Sequence, residues 1–251
     1  MQPQIVLVTG ATAGIGEAVL RRAIAAGSKV VAVGRRTERL QALAAELGPN
    51  VWPVTLDVRD HAAVVRQLSA LPEEFAAVDL LVNCAGLALG LAKFWENDDE
   101  DWQTMLDTNV TAMLHVTRQV IQGMLARGRG HIIQLGSVAG RYPYGGGAVY
   151  GGSKAFVAVF SDHLRVDLNG TPVRVTSIEP GAVETEFSVV RFKGDAERAD
   201  KVYQGFQPLT GADVAESIWF CACQPAHINI NHLELMPVAQ SAAGFSFARK
   251  G

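Results

Sequence analysis

The sequence predicts an α/β fold: a doubly wound parallel sheet with helices on both faces, built as a single domain over 1–251. Two features carry this expectation. Short runs rich in Val, Ile and Leu alternate with helix-length segments, and repeated strand–helix units make an open, doubly wound sheet the economical architecture. Several of these runs, such as Ile5–Val8 and Val30–Val33, are unbroken rather than alternating, as expected of strands covered on both faces. With 251 residues, 49% of them hydrophobic, the chain suits one large domain with a sizeable core.

In chain order the expected strands are Ile5–Val8, Val30–Val33, Val51–Leu56, Leu80–Val82, His131–Leu135, Val173–Ile178 and Ile230–Leu235. Between the first two, Gly14 to Ala26 carries Ile15, Ala18, Val19, Ala23 and Ala26 at helical spacing, and Gly27 is placed to end the helix. A second helix is expected from Thr37, an N-cap type of residue, to Leu47, stopping at Gly48-Pro49. The acidic run Asp98–Asp101 reads as the start of a long helix through Met124, where negative charge complements the helix dipole, rather than as a metal site. Another apolar helical stretch opens near Tyr150.

Bulk properties exclude several classes. A net charge of −3 with a pI near 6.1 gives no electrostatic footprint for nucleic acid. The longest apolar runs are strand-length, so no membrane role is expected. The first strand begins almost at once, which leaves no room for a signal peptide, and the expected compartment is the cytoplasm. Three cysteines argue against a disulfide framework. Cys221, Cys223, His227 and His232 match no common zinc spacing and Cys84 reads as a small buried residue, so no metal is expected.

The turn after the first strand reads Thr9-Gly-Ala-Thr-Ala-Gly-Ile-Gly16. Glycines there let the backbone approach a pyrophosphate, and the helix N-terminus then offers unpaired N–H groups. The candidate contacts are Gly10, Thr12, Gly14, Ile15 and Gly16, in a Rossmann-type setting. The spacing is Gly-x3-Gly-x-Gly, not the usual Gly-x-Gly-x-x-Gly. About 20 residues on, where an NAD enzyme places an acid, the second strand ends at Gly34-Arg35-Arg36. Two guanidiniums suit the 2′-phosphate of NADP; the plainer reading is a solvated basic loop.

Further along, Tyr150 and Lys154 lie four apart at the start of a helical stretch and so share a face. A free phenol has a pKa of about 10, too high for a base at neutral pH, and a neighbouring ammonium favours the phenolate. Ser137 follows the strand His131–Leu135 at the carboxyl edge, where open sheets bind ligands, and its hydroxyl can donate to an oxygen gaining negative charge. Packing and surface are the alternative reading for any one of these.

Taken together, the glycine turn, Asp57-Val58, Asn83-Cys-Ala-Gly86, Asn109, Ser137, Tyr150-Gly-Gly-Ser-Lys154 and Pro180-Gly181 stand in the order of the short-chain dehydrogenase/reductase family, which the chain resembles over essentially its whole length. The resemblance implies Tyr150 as general acid/base, Lys154 as its electrostatic helper and a ribose contact, Ser137 as carbonyl polariser and Asn109 as holder of a relay water. It implies adenine contacts from Asp57 and Val58, and a cofactor lining from Asn83, Ala85 and Gly86. Pro180, Gly181, Val183 and Thr185 would then stand near the nicotinamide. Cys84 replaces the family's second asparagine, which removes a side-chain polar group and leaves the backbone path intact.

A narrower resemblance, in Gly86-Leu-Ala-Leu-Gly90, Glu179 to Ser188, Val190-Arg-Phe-Lys-Gly-Asp195 and Pro225 to Pro237, is to the NADP-dependent 3-hydroxy acid dehydrogenases, described as serine or L-allo-threonine dehydrogenases and malonic semialdehyde reductases. It implies a small 3-hydroxy or 3-oxo acid as substrate and a homotetramer. A 3-oxoacyl thioester or sugar reductase, or a non-catalytic nucleotide-binding protein on the same fold, are the competing readings. A substrate loop is expected at about 183–209. Within it Arg191 is the first candidate for a substrate carboxylate, ahead of Lys193, with Arg141 outside the loop.

Overall fold

The computed structural model describes residues 2–241, so the outer limits of the expected 1–251 domain lie outside the described residues. A seven-stranded parallel sheet runs through them. Its strands are β1 (Ile5–Thr9), β2 (Lys29–Gly34), β3 (Val51–Thr55), β4 (Leu80–Asn83), β5 (Gly130–Leu135), β6 (Val173–Pro180) and β9 (His232–Leu235), in the order β3-β2-β1-β4-β5-β6-β9. Two short strands, β7 (Val183–Glu184) and β8 (Leu209–Thr210), pair separately. The order reverses between β1 and β4, and the crevice beyond the carboxyl ends of those strands is where such sheets bind ligands.

The unbroken apolar runs have the cause expected of them: both faces are covered. Leu7, Val31, Leu81, Ile132 and Val175 pack on one face beneath α3 (His61–Ser69) and α6 (Ala112–Arg127). Their neighbours Val6, Val8, Val30, Ala32, Val82 and Ile133 pack on the other beneath α1 (Gly14–Ala25), α2 (Thr37–Leu47) and α10 (Gly211–Ala222). Side chains alternate across the pleat, so each strand feeds two cores. A short α4 (Glu73–Ala76) precedes β4, and α7 (Ala148–Asp167) follows β5. Two short helices, α8 (Phe187–Arg191) and α9 (Ala196–Lys201), lie between β7 and β8. No helix among the described residues is long and apolar enough to cross a membrane.

Two local expectations change. The second helix does begin at Thr37, but Arg36 occupies its N-cap and no side chain caps it. The long helix expected from the acidic run is broken. Asp98 caps α5 (Asp99–Leu106) by accepting from the Glu100 N–H at 2.9 Å. A π turn at Asp107–Thr111 then leads into α6. The Asn109 side chain explains the extra residue in that turn: it reaches out of the helix to bond the Leu87 backbone, and such bulges recur where a helix must present a side chain off its ordinary path.

Candidate active site

A cleft of about 590 Å³ opens at the carboxyl edge of the sheet, between the glycine turn, the ends of β2, β4, β5 and β6, and the segment from Ala182 to Tyr203. At one end, Gly10 and Gly14 adopt φ of +69° and +54°, in the left-handed region that favours glycine. A Cβ on Gly10 would lie 3.0 Å from the Ala85 amide nitrogen, and one on Gly16 would collide with the Gly10 carbonyl oxygen. The turn is thus closed too tightly for side chains. Asp60, Asp98, Asp195 and Thr210 cap α3, α5, α9 and α10 through their side chains, whereas Ala13 at the start of α1 offers none. The first N–H groups of α1 therefore face the cleft without a side-chain acceptor, the arrangement that holds a pyrophosphate.

Beside this turn Arg36 donates through Nε to Thr12 Oγ1 and through Nη2 to the Thr12 carbonyl, each at 2.9 Å. Arg39, one helical turn further on, adds an Nη1 hydrogen bond to the same carbonyl at 3.4 Å. Both arginines pair with Glu186, which holds its carboxyl below the usual carboxylate range. Arg35 also lines the cleft. Asp57 lines it too, its carboxyl lowered first by hydrogen bonds from Arg59. Arg39 and Glu186 were not anticipated. Arg39 had a readable signal, because it stands in the first turn of a helix that starts just after Arg35-Arg36. Glu186 had none, since it is 150 residues away in sequence.

At the other end, α7 delivers Tyr150 and Lys154 on one face, and the turn after β5 delivers Ser137. Ser137 Oγ accepts from the Ala139 N–H at 3.1 Å and donates to the Pro180 carbonyl at 3.4 Å. Lys154 is 5% exposed and donates from Nζ to the Leu135 carbonyl at 2.7 Å. Burial pushes its ammonium down to about 8. Burial also pushes the Tyr150 phenol up to about 12, against the lowering effects of Ser137 and Arg191. The sequence expectation that Lys154 would lower the phenol therefore does not hold here. Its Nζ, 5.9 Å from the Tyr150 ring centre, is turned to the Leu135 carbonyl, and desolvation dominates both groups. Burial likewise raises the Cys84 thiol to about 12, which keeps it neutral next to Lys154.

Two asparagines stand behind the cleft rather than in its lining. Asn83 is buried and donates to Thr117 Oγ1 at 3.0 Å and Gln134 Oε1 at 2.9 Å, fixing the end of β4. Asn109 Oδ1 accepts from the Leu87 N–H at 2.8 Å, while its Nδ2 donates to the Leu87 carbonyl at 2.8 Å and Ser153 Oγ at 3.0 Å. The remaining expected residues, Gly14, Ile15, Val58, Ala85, Gly86, Pro180, Gly181, Val183 and Thr185, all line the cleft.

The three cationic candidates separate cleanly. Lys193 pairs with Asp101 at 2.8 Å, and Arg141 with Glu179 at 3.4 Å and Glu234 at 3.8 Å; neither lines the cleft. Arg191 does. Its guanidinium lies 5.3 Å from the Tyr150 ring centre, 5.0 Å from that of Phe187 and 5.9 Å from that of Tyr144. Nη2 donates to the Tyr144 hydroxyl at 3.1 Å, and the Nε is buried without a partner among the described residues. The Arg191 carbonyl accepts from the Gly90 N–H at 2.9 Å, which ties α8 to the loop after β4.

Comparison with known proteins agrees with this geometry. The short chain dehydrogenase family model matches residues 4–195. The chain is 56% identical over 246 residues to the NADP-dependent 3-hydroxy acid dehydrogenase YdfG of Salmonella typhi, covering 98% of this chain and 99% of that protein. It is 51% identical over 245 residues to the serine 3-dehydrogenase of Agrobacterium fabrum, covering 98% of each. Among solved structures, the closed form of a serine dehydrogenase complexed with NADP+ superposes with a TM-score of 0.97 at 55% identity, covering 98% of this chain and 100% of that one.

Proposed function

The chain belongs to the short-chain dehydrogenase family, and on that premise we propose that it is an NADP-dependent oxidoreductase interconverting small 3-hydroxy acids and 3-oxo acids. The naming of its relatives supports the cofactor and the substrate class. One observation in this chain carries the acid: the Arg191 guanidinium stands inside the cleft against the Tyr150 ring, with a buried Nε that has no partner among the described residues. A buried cationic donor of this kind fits an incoming carboxylate, which restores its missing partner.

The glycine turn, the N-terminus of α1, and Arg35 and Arg36 with Arg39 would hold the dinucleotide; Asp57 and Val58 would take the adenine. Pro180, Gly181, Val183 and Thr185 would flank the nicotinamide, which supplies the hydride acceptor or donor when bound. In oxidation Tyr150, having first lost its own phenolic proton, would take the proton of the substrate hydroxyl as the C–H hydride passes to the nicotinamide; in reduction the neutral phenol, the form that burial favours, would give its proton to the carbonyl oxygen. Ser137 donates to the same oxygen and stabilises its developing charge. Lys154 Nζ, anchored on the Leu135 carbonyl 5.9 Å from the Tyr150 ring centre, would offer its remaining donors to the ribose. Asn109 spends its side chain on Leu87 and Ser153, so it acts by positioning the loop after β4 against α7, leaving only its main chain for a relay water.

The exposed apolar face of α7, with Phe156 stacked on Phe160 and Val159 and Val166 open to solvent, supports self-association, for which the family resemblance implies a homotetramer. Three cysteines, an odd number, argue against a disulfide framework and support the cytoplasm as compartment.

Replacing Arg191 by Leu tests the acid assignment. KM for a 3-hydroxy acid such as serine rises at least about tenfold, the cost of a lost charge-assisted pair. KM for the corresponding methyl ester, measured in parallel, moves far less. Equal losses for acid and ester, or none for either, would place carboxylate recognition elsewhere.

A further inference from the structure

The arginines at the glycine-turn end already hold an anion, and it comes from the protein. Glu186 Oε2 accepts from Arg36 Nη1 at 2.7 Å, and its Oε1 accepts from Arg39 Nη1 at 2.6 Å. Both guanidiniums also reach the Thr12 carbonyl, so the pair is fixed against the turn before any ligand arrives. Two guanidiniums converging on one carboxylate present the donor arrangement that a phosphate monoester takes. The same two hydrogen bonds hold the Glu186 carboxyl low, so it is a full anion at neutral pH.

Resting on the NADP reading above, we propose that Glu186 is an internal competitor for the adenosine 2′-phosphate and so a determinant of cofactor selectivity. A 2′-phosphate that uses the Nη1 donors of Arg36 and Arg39 must displace the carboxylate first. A nucleotide without that phosphate leaves the pair intact and exchanges nothing. Glu186 therefore weakens binding of the phosphorylated nucleotide alone, and holds selectivity below what the arginines would give unopposed. Its position makes the exchange felt across the cleft. Thr185 packs against Gly14, and the Phe187 ring lies 5.6 Å from the Tyr150 ring, so Glu186 is the link between the phosphate end and the segment bearing Arg191.

Calorimetric titration of the purified protein with adenosine 2′,5′-bisphosphate and with 5′-AMP tests this without turnover. Wild type binds the bisphosphate more tightly. Glu186→Gln, which keeps the shape and removes the charge, tightens the bisphosphate about three- to tenfold, as expected for two half-exposed ion pairs removed from competition, and moves 5′-AMP by less than about twofold. The gain shrinks with added salt. Glu184→Gln, the same charge change on an exposed residue two positions earlier, leaves both ligands within about twofold. Unchanged or weaker bisphosphate binding in Glu186→Gln overturns the proposal, as does an equal gain in Glu184→Gln, which would mean net charge alone. If wild type binds the two nucleotides equally, the NADP reading itself fails and the competitor role with it.

Discussion

At the phosphate end of the cleft Arg36, Arg39 and Glu186 stand half exposed and pair with one another, whereas at the catalytic end Lys154 is buried, Tyr150 is partly buried, and each is driven toward its neutral form. Side-chain exposure of 41%, 50% and 45% keeps the first group in a high dielectric, where pairing costs little and yields little. Burial leaves the second group with shifts set by desolvation, the phenol near 12 and the ammonium near 8. The difference teaches where energy is concentrated. Changes at the buried end act on charge states that water cannot rescue; changes at the open end are softened by solvent and salt.

The sharpest way to break this contrast is at Tyr150. Tyr150→Phe removes one oxygen and keeps the ring that faces Phe187 and Arg191. Steady-state kcat falls by about 10²- to 10⁴-fold, the usual worth of a positioned acid/base, while NADP binding followed by fluorescence stays within a few-fold. A Phe variant with near-normal kcat would remove the phenol from the chemistry and leave the buried end without its proton carrier.

Lys154 sharpens the comparison through stability. Its pKa falls on folding from 10.5 to about 8, so between those values the unfolded chain binds the extra proton and folding expels it. Stability then rises with pH across that window and carries the full burial cost below it. Cofactor-free Lys154→Met is accordingly more stable than wild type below pH 8, by on the order of 3 kcal/mol, and the gap closes as pH approaches 10.5. Urea midpoints of the two proteins at pH 7, 9 and 10.5 measure it. A gap that stays constant with pH would mean that the ammonium is solvated and the two ends of the cleft are alike.

The same contrast explains what the sequence made legible. The strands were readable because coverage on both faces leaves unbroken runs such as Val30–Val33, and the Tyr150–Lys154 pair because helical spacing alone puts them on one face. Asn83 and Asn109 were legible as positions but not as orientations. Nothing in their neighbours in sequence says that Thr117, Gln134, Leu87 and Ser153 will take up their amides. The π turn follows from the same tertiary demand and has no periodic signature. Arg191 could be ranked ahead of Lys193 on chemistry, but only folding showed Asp101 beside Lys193 and three aromatic rings around Arg191. The direction of the Tyr150 shift was missed because spacing reports proximity, not burial.

The smallest effect is expected at the open end, and its size is the point. Arg36 binds the Thr12 hydroxyl and carbonyl and shares Glu186 with Arg39. Arg36→Ala removes one of the cationic donors to the 2′-phosphate and also releases half of the competing carboxylate's hold. The two consequences oppose each other, and both are screened. NADP affinity therefore drops only about tenfold, below the upper range for a buried charged hydrogen bond, while NAD affinity changes by less than about twofold. Raising the salt concentration compresses the NADP loss further, because the interactions removed are exposed ones. Equilibrium binding of both dinucleotides to the two proteins at low and high salt measures this. Equal losses for NADP and NAD would show that Arg36 serves the turn rather than the phosphate. A loss of a hundredfold or more that ignores salt would show that the arginine is desolvated when the dinucleotide binds, so that the open end closes over its ligand and comes to resemble the buried one.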